Sequence, residues 1–310
     1  MKNNTIVTAG DRNYLWGIFL MIASLRRNGM DEPVIVGTKG FDDEAAEILT
    51  SIGDVRLFPL DDFRRSLTCC KAQVMLQAET DYITWVDSDG FFSGNCSARL
   101  IPETPDQIHV RMRSAAEQPQ AFKGYTYGED GHQIPQAVLQ VWKRNVGGLE
   151  TPRIARSCSA CFLSVHRSSR PFLEKWHEQM MTVLPATNIG VVDPSLKYYH
   201  QLDESVLNSC LAFFPGAPRV AETYRLDKDP EELFIHFIGQ PKPWQGWAPS
   251  AFRHFDRYVS VMEFAQSAGW KLPGPVPMSL KRKNRALCSL LRYPVSIRYK
   301  IARRLRKWFG

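Results

Sequence analysis

Two carboxylates two residues apart, Asp87 and Asp89, stand directly after the apolar run Asp81-Tyr82-Ile83-Thr84-Trp85-Val86. In an extended chain, residues i and i+2 project to the same side about 6–7 Å apart. One carboxylate can therefore reach a hard divalent cation directly while the other reaches it, or its waters, from the same side. Gly90 reads as the turn that leaves both exposed, with Ser88 between them. Alone, Asp-x-Asp is also what a solvated loop contains; its place after a buried strand is what gives it weight. The second cluster is His236-Phe-Ile-Gly239-Gln-Pro-Lys242-Pro-Trp244. His236 can supply an imidazole nitrogen to a metal, Gly239 lets backbone approach a phosphate, and Lys242 is a point charge for phosphate oxygens. Two prolines fix the loop. By itself this segment also reads as a strand end with a buried histidine and a proline turn. Taken together, two carboxylates, one histidine and one lysine make a site for a metal-bound diphosphate.

The elements that must position these residues are legible as an alternation. Thr5 to Ala9 is a β-rich run ending in Gly10-Asp11, and Tyr14 to Arg27 has helix length and is apolar on most sides, as a buried helix is. Pro33 to Gly37 repeats the strand signal, Phe41 to Ile52 opens with acids suited to a first helical turn, and Val55 to Phe58 is a third strand. A helix over about Lys71 to Glu79 leads into the strand that stops at Asp87-Ser88-Asp89. Such alternation predicts a parallel sheet covered on both faces, with ligands outside the carboxyl ends of its strands. Neither GxGxxG nor GxxxxGK[ST] occurs, which argues against a dinucleotide Rossmann domain and a P-loop NTPase. Farther on, Cys158 to Val165 and Leu233 to Ile238 read as strands, and Arg170 to Thr182 and Asp203 to Phe213 as helices. Residues 113–150 and 184–202 are polar and Gly/Pro-punctuated, and read as loops over the carboxyl edge.

Three separated blocks then resemble glycosyltransferase family 8: Ala9-Gly10-Asp11-Arg12-Asn13-Tyr14, Asp87-x-Asp89, and His236-x-x-Gly239-x-x-Lys242-Pro243-Trp244. Between them, Asp203-Glu204-Ser205-Val206-Leu207-Asn208 resembles the family's D-Q-x-x-L-N segment, so the resemblance spans roughly residues 4–248. It implies an α/β GT-A fold, a Rossmann-like nucleotide-diphospho-sugar transferase domain over residues 1–248. A helical extension over 249–278 and a basic tail over 279–310 follow. It also implies a UDP-hexose donor, galactose or glucose, with Ala9, Asp11 and Asn13 at the uridine and Tyr14 on its base. Lys71, one residue off the family's basic position, would serve donor phosphates or sugar. Asp87 and Asp89, flanking Ser88, would with His236 ligate Mn2+ or Mg2+, and Lys242 with the Gly239 backbone would hold the diphosphate.

The family transfers with retention at the anomeric carbon, by double displacement through a carboxylate or by front-face attack of the acceptor. Two departures matter. Glu204 stands where the family has Gln, as a nucleophile, a partner for a cation or an acceptor-binding group, and Asp203 is expected on sugar hydroxyls. Ser159-Ala160-Cys161 replaces the family's Asn-Ala-Gly.

Composition excludes several other classes. The 310 residues are 44% hydrophobic and 23% charged, without repeats or a dominant low-complexity tract, which argues against disordered and solenoid proteins. The longest apolar run, Tyr14 to Leu25, falls short of the roughly 18–20 residues of a membrane span. Asp11, Arg12 and Asn13 interrupt any signal-peptide reading, so the chain is expected to stay in the compartment where it is made. Seven cysteines fit reduced thiols, and the single Cys158-x-x-Cys161 reads as buried structural thiols more readily than as redox or metal chemistry. His109, His132, His166, His177, His200 and His254 match no metal spacing, and Trp244 and Trp247 read equally as a sugar platform or as core.

The net charge of +7 is a property of the end of the chain. Eleven of the 39 basic residues lie between Lys281 and Lys307 with no acidic residue, which leaves 28 against 32 acidic elsewhere. Nucleic-acid binding by the body therefore loses its compositional support. Ile297, Ile301, Leu305 and Trp308 recur at helical spacing among Arg298, Lys300, Arg303, Arg304, Arg306 and Lys307, a basic amphipathic helix. Each such cation near an anionic leaflet is worth about 1 kcal/mol. The expectation is a peripheral enzyme on the cytoplasmic face of a membrane, acting on a lipopolysaccharide or other lipid-linked glycan. A sugar nucleotidyltransferase is disfavoured because no Gly-rich first loop is present. The other rival is a catalytically silent nucleotide-sugar or membrane-surface binding module.

Overall fold

The computed structural model describes residues 3–122, 133–186, 196–221 and 234–309. The strands are β1 Asn4–Asp11, β2 Val34–Lys39, β3 Val55–Pro59, β4 Tyr82–Val86, β5 Gly90–Phe92, β6 Gln107–Met112, β7 Cys158–His166, β8 Arg219–Ala221 and β9 Phe234–His236. The helices are α1 Leu15–Arg27, α2 Asp43–Thr50, α3 Lys71–Met75, α4 Ser97–Leu100, α5 Gln118–Ala121, α6 Gln136–Val146, α7 Arg170–Val183, α8 Asp203–Phe213, α9 Phe255–Ser267 and α10 Arg285–Phe309. Seven strands form one sheet in the order β3-β2-β1-β4-β7-β6-β8, and β5 and β9 form a separate pair.

The sheet is mixed, which corrects the expectation of a parallel one. Strands β1 to β4 are mutually parallel, but β7 runs antiparallel to both β4 and β6. A strand buried on both faces is continuously apolar in either direction, so its hydrophobic run carries no sign of polarity. The order reverses beside β1: the chain leaves it for β2 and β3 on one side and returns as β4 on the other. Such a switch point leaves a crevice outside the carboxyl ends of β1 and β4. Asp11 closes one strand there, and Asp87 follows the other.

Two core clusters lie on opposite faces of the sheet. One gathers α1, α9 and the β5/β9 pair, including Phe19, Phe91, Trp247 and Tyr258; the other gathers α3, α6, α7 and α8, including Trp142 and Trp176. Helix α1 is buried from Gly17 to Leu25, matching its all-round apolar sequence. Gly17 is required by a close approach: a Cβ there would sit 2.5 Å from Trp244 and 2.6 Å from the Ser88 carbonyl oxygen. The segment carrying both carboxylates therefore rests directly on α1. Gly90 closes the expected turn, its N donating to Asp87 O at 3.2 Å, and has a second role in strand pairing. Its Cβ would lie 2.3 Å from the Phe234 ring, so this glycine lets β5 pair closely with β9.

Other expectations shift in detail. The helix expected from Lys71 to Glu79 ends at Met75, and the strand expected over Leu233–Ile238 is Phe234–His236, with Ile238 73% exposed. Leu233 lies outside the described residues. Within 113–150, expected to be loop, α6 forms because Val138, Leu139 and Trp142 recur at helical spacing and bury together. Residues 123–132, with His132, and 187–195 of the expected loops lie outside the described residues. Cys158 and Cys161 are free and buried, but in different core clusters, so they do not form a chelating pair.

Candidate functional site

Strand pairing brings Asp87, Asp89 and His236 together. Gly90 of β5 pairs with His236 of β9, and Phe237 N donates to Asp89 O at 2.9 Å, which sets His236 beside Asp89. The His236 Nε2 lies 2.9 Å from Asp89 Oδ1 and 3.6 Å from Asp87 Oδ2. One ligand atom from each of Asp87, Asp89 and His236 lies within 4.8 Å of the others. Two carboxylate oxygens and one imidazole suit Mn2+ or Mg2+ more than a soft cation. Asp87 is half-buried and Asp89 buried, so the two are not both exposed as expected. Burial favours neutral Asp89, but His236 and Lys242 outweigh it and hold its carboxyl below the usual range. Burial likewise opposes a charged His236, and Asp89 and Cys161 overcome it, pushing the imidazole's protonation well above its ordinary value.

Each carboxylate has its own buried lysine. Lys71 Nζ bonds Asp87 Oδ1 at 2.9 Å and Ala160 O at 2.7 Å, and pairs with Asp203 at 3.1 Å. Trp85 Nε1 donates to the same Asp87 oxygen at 2.9 Å, which leaves Oδ2 turned to His236. Burial lowers Lys71, yet Asp203 and Asp87 raise it further, so it stays charged. Burial also pushes Asp203 up to about 6; Lys71 opposes this, while Asp87 and Glu204 add to it. Lys242 Nζ bonds Asp89 Oδ2 and donates to Phe237 O at 2.7 Å. An ammonium has three donors. Lys71 engages three oxygens, whereas Lys242 engages two among the described residues.

Helix α8 is fastened to β7. Asn208 Oδ1 accepts from Cys158 N at 2.7 Å and its Nδ2 donates to Cys158 O at 2.9 Å. Buried Leu202, at φ 47°, turns the chain into this helix in a conformation that side chains disfavour. Glu204 binds the Arg113 guanidinium through one oxygen and accepts from Ala160 N at 3.2 Å through the other. Arg113 also donates to Gln201 Oε1 at 3.1 Å. Of the readings open for Glu204, the structure therefore places it against a cation.

The turn after β1 meets the third block. Asp11 Oδ1 accepts from Asn13 N at 2.9 Å, shaping the turn, and Ala9 lies half-buried just before it. Tyr14 sets its ring edge-on to Trp244 at 5.7 Å, while Trp244 Nε1 donates to Asn13 O at 3.1 Å. Burial first, then Asp89, Asp11 and Asp87, raise the Tyr14 hydroxyl well above its usual value. Gly239 is exposed at φ 85°, with nothing within 4 Å of a Cβ position. Ser88 is buried. Trp244 and Trp247 are core residues: Trp247 packs on Phe237, Phe255 and Tyr258 and donates to Ser279 O at 2.8 Å. Sequence reasoning missed Arg113, inside an expected loop, and the role of Trp85, whose i, i+2 spacing from Asp87 was the available signal.

No family model matches the sequence. No curated protein matches it either. Solved structures do resemble the fold. The apo structure of the bifunctional glycosyltransferase WbbM superimposes with a TM-score of 0.54 at 13% identity, covering 86% of this chain and 51% of that one. The galactosyltransferase LgtC, in complex with donor and acceptor sugar analogues, gives 0.50 at 14% identity over 85% of this chain and 95% of that one. The apo glycosyltransferase GlyE of Streptococcus pneumoniae TIGR4 gives 0.51 at 15% identity, over 88% and 65%. This chain thus spans about half the length of WbbM and nearly all of LgtC. The fold is the α/β GT-A fold, with a helical C-terminal region.

Lys71→Met leaves Asp87 and Asp203 buried without their cation and should destabilise the protein by about 3–5 kcal/mol. Lys143→Met, which removes an exposed partner of Glu150, should leave stability almost unchanged. Urea denaturation of both variants checks this; equal midpoints would show that the buried pair is not a structural support.

Proposed function

We propose that the protein is a metal-dependent glycosyltransferase of family 8 type that moves a hexose, galactose or glucose, from a UDP-sugar to a glycan acceptor. The observation that carries this reading is the convergence of Asp87, Asp89 and His236 within 4.8 Å at the switch point of a GT-A sheet. A divalent cation held by these three residues would supply positive charge to the departing diphosphate. The chain's own groups do the rest. Lys71 and Trp85 hold one oxygen of Asp87, which leaves the other turned to His236 and able to hold a cation with it. Lys242, with two of its three donors engaged among the described residues, and the open backbone at Gly239 bind diphosphate oxygens, where charge develops as the sugar–phosphate bond breaks. Asp11, Asn13 and Tyr14 line the uridine end. Asp203, buried beside Lys71, orients the lysine that in turn orients Asp87, and its second oxygen, which has no hydrogen bond among the described residues, is the one for a sugar hydroxyl.

The Arg113 pairing favours Glu204 as an orienting group over a nucleophile, because a carboxylate bound to a guanidinium is stabilised in its ground state. Transfer then proceeds with retention by front-face attack, which needs no enzymic nucleophile. LgtC, solved as a galactosyltransferase with sugar analogues, matches along nearly its whole length and supports a hexose donor.

The tail supports an acceptor at a membrane surface. On α10, Leu287, Leu290, Ile297, Ile301 and Leu305 follow one helical stripe and are all exposed, with Arg298 and Lys300 on the same helix. The side chains of Trp308, Arg303, Arg304, Arg306 and Lys307 lie outside the described residues. No helix among the described residues is long and apolar enough to cross a membrane. The root of α10 is fastened to the body, with Arg282 bonded to Glu263 at 2.6 Å and 2.7 Å, Arg285 to Asp256 at 3.1 Å, and Arg292 over the Phe252 ring. An apolar stripe on a basic helix suits peripheral attachment to an anionic leaflet bearing a lipid-linked glycan, such as lipopolysaccharide on the inner face.

UDP release from a panel of UDP-sugars, with and without Mn2+, tests the activity. One donor should be turned over only with Mn2+; Asp89→Ala should abolish release, and Glu204→Gln should keep a substantial part of it. Mn2+-dependent UDP binding without release from any donor, in the presence of glycolipid acceptors, would point to a silent binding module. Removal of residues 297–310 should abolish sedimentation with anionic vesicles while UDP binding persists; unchanged sedimentation would refute the membrane role.

A further inference from the structure

We propose that Arg113 and Glu204 are a matched pair of positioning residues for the Asp87–Asp89–His236 centre, acting through the backbone of Ala160. The inference rests on the reading of that centre as a cation site. Strands β6 and β7 pair regularly as far as Val110–Leu163, and the next pair is Arg111–Ser159, so Ala160, Cys161 and Phe162 fall within a shift of register. Such irregularities disrupt the ladder locally and are over-represented beside functional sites. At Ala160, which is 1% exposed, side chains take the backbone groups: its N donates to Glu204 Oε2 at 3.2 Å, and its carbonyl accepts from Lys71 Nζ at 2.7 Å. Lys71 in turn holds Asp87 Oδ1 at 2.9 Å. Past the shift the two strands rejoin, and Arg113 N donates to Ser157 O at 3.0 Å. From that anchored backbone the Arg113 guanidinium reaches Glu204 Oε1. A continuous chain of hydrogen bonds therefore runs from Arg113 through Glu204, Ala160 and Lys71 to Asp87.

This chain gives a chemical reason for a carboxylate at 204. Glu204 meets two donors, one with each oxygen, and an amide has a single acceptor oxygen. With Arg113 in place, a glutamine would turn its NH2 group toward one of those donors. With Arg113 also removed, the amide could accept from Ala160 N and donate to Gln201 Oε1, which now accepts from Arg113 at 3.1 Å. Each residue thus fixes what the other can be. Losing the Glu204 bond frees the Ala160 peptide, and with it the carbonyl that steadies Lys71 against Asp87. Removing outer partners of metal ligands typically costs 10–100-fold in affinity.

The test is Mn2+ titrated into the full-length protein, with free Mn2+ followed by electron paramagnetic resonance. Arg113→Met and Glu204→Gln should each weaken Mn2+ binding about 10-fold, and the double variant should recover most of that loss. Arg170→Met, which removes a half-buried arginine beyond the far end of β7, should change nothing. Charge alone would act differently: loss of the guanidinium would strengthen cation binding and loss of the carboxylate would weaken it. Unchanged or tighter binding in Arg113→Met would overturn the inference and leave the cation site standing. A double variant weaker than either single one would also overturn it, because the two residues would then act independently. Should Arg113→Met fail to fold, Glu204→Asp decides: it keeps the charge but is too short to span Arg113 and Ala160 N. It should weaken Mn2+ binding to the same extent, and unchanged affinity contradicts the proposal. Absence of Mn2+ binding by the unmodified chain would instead defeat the cation site itself.

Discussion

Two aspartates two residues apart cannot stay ionised in a partly buried crevice without compensation, and the structure provides it with two buried lysines. Lys71 lies against Asp87 and Lys242 against Asp89, each 4% exposed. Their attraction opposes both the repulsion between the carboxylates and the cost of removing them from water. His236 bridges what remains of the two negative charges. Much of the fold can be read as the support of this arrangement: Gly17 and Gly90 permit the close approaches, β7 supplies the carbonyls at 160 and 161, and α8 supplies Asp203.

The two lysines are not equivalent. Lys71 is saturated and bonded to a strand carbonyl, which makes it a fixed part of the framework. Lys242 sits in a loop between Pro241 and Pro243 and, among the described residues, has two of its three donors engaged, beside the exposed Gly239 backbone. A site with one fixed and one available cation can hold its carboxylates rigidly and still bind an incoming diphosphate. The turn at Asp11 and Asn13 is tied to the same loop through Trp244, so the first and third sequence blocks share one scaffold.

The parts of this arrangement that were legible in the sequence are those encoded by short spacing. Asp87 and Asp89 after a buried strand, and His236 through Trp244, each combine donor types with a local reason to be positioned, and strand–helix alternation leads to an α/β fold. The rest depends on distances in space that sequence does not express. The direction of β7 is invisible in an apolar run, and the partnership of Lys71 with Asp203 spans residues that meet only because α3 and α8 pack on one face of the sheet. Gly90 was legible as the close of a turn, which its N makes to Asp87 O, but not in its second role: its missing side chain accommodates Phe234. Arg113 was hidden because its surroundings carry no regular pattern, and it changes what Glu204 can do.

The central claim is that Asp87, Asp89 and His236 together bind a cation that carries a nucleoside diphosphate. Anomalous diffraction at the manganese edge, from a crystal grown with Mn2+ and UDP, tests this most directly. The account predicts one strong peak bonded to an oxygen of Asp87, an oxygen of Asp89 and Nε2 of His236, with diphosphate oxygens on its open side and within reach of Lys242. A peak elsewhere, or UDP bound in the crevice with no manganese among these three side chains, would contradict it.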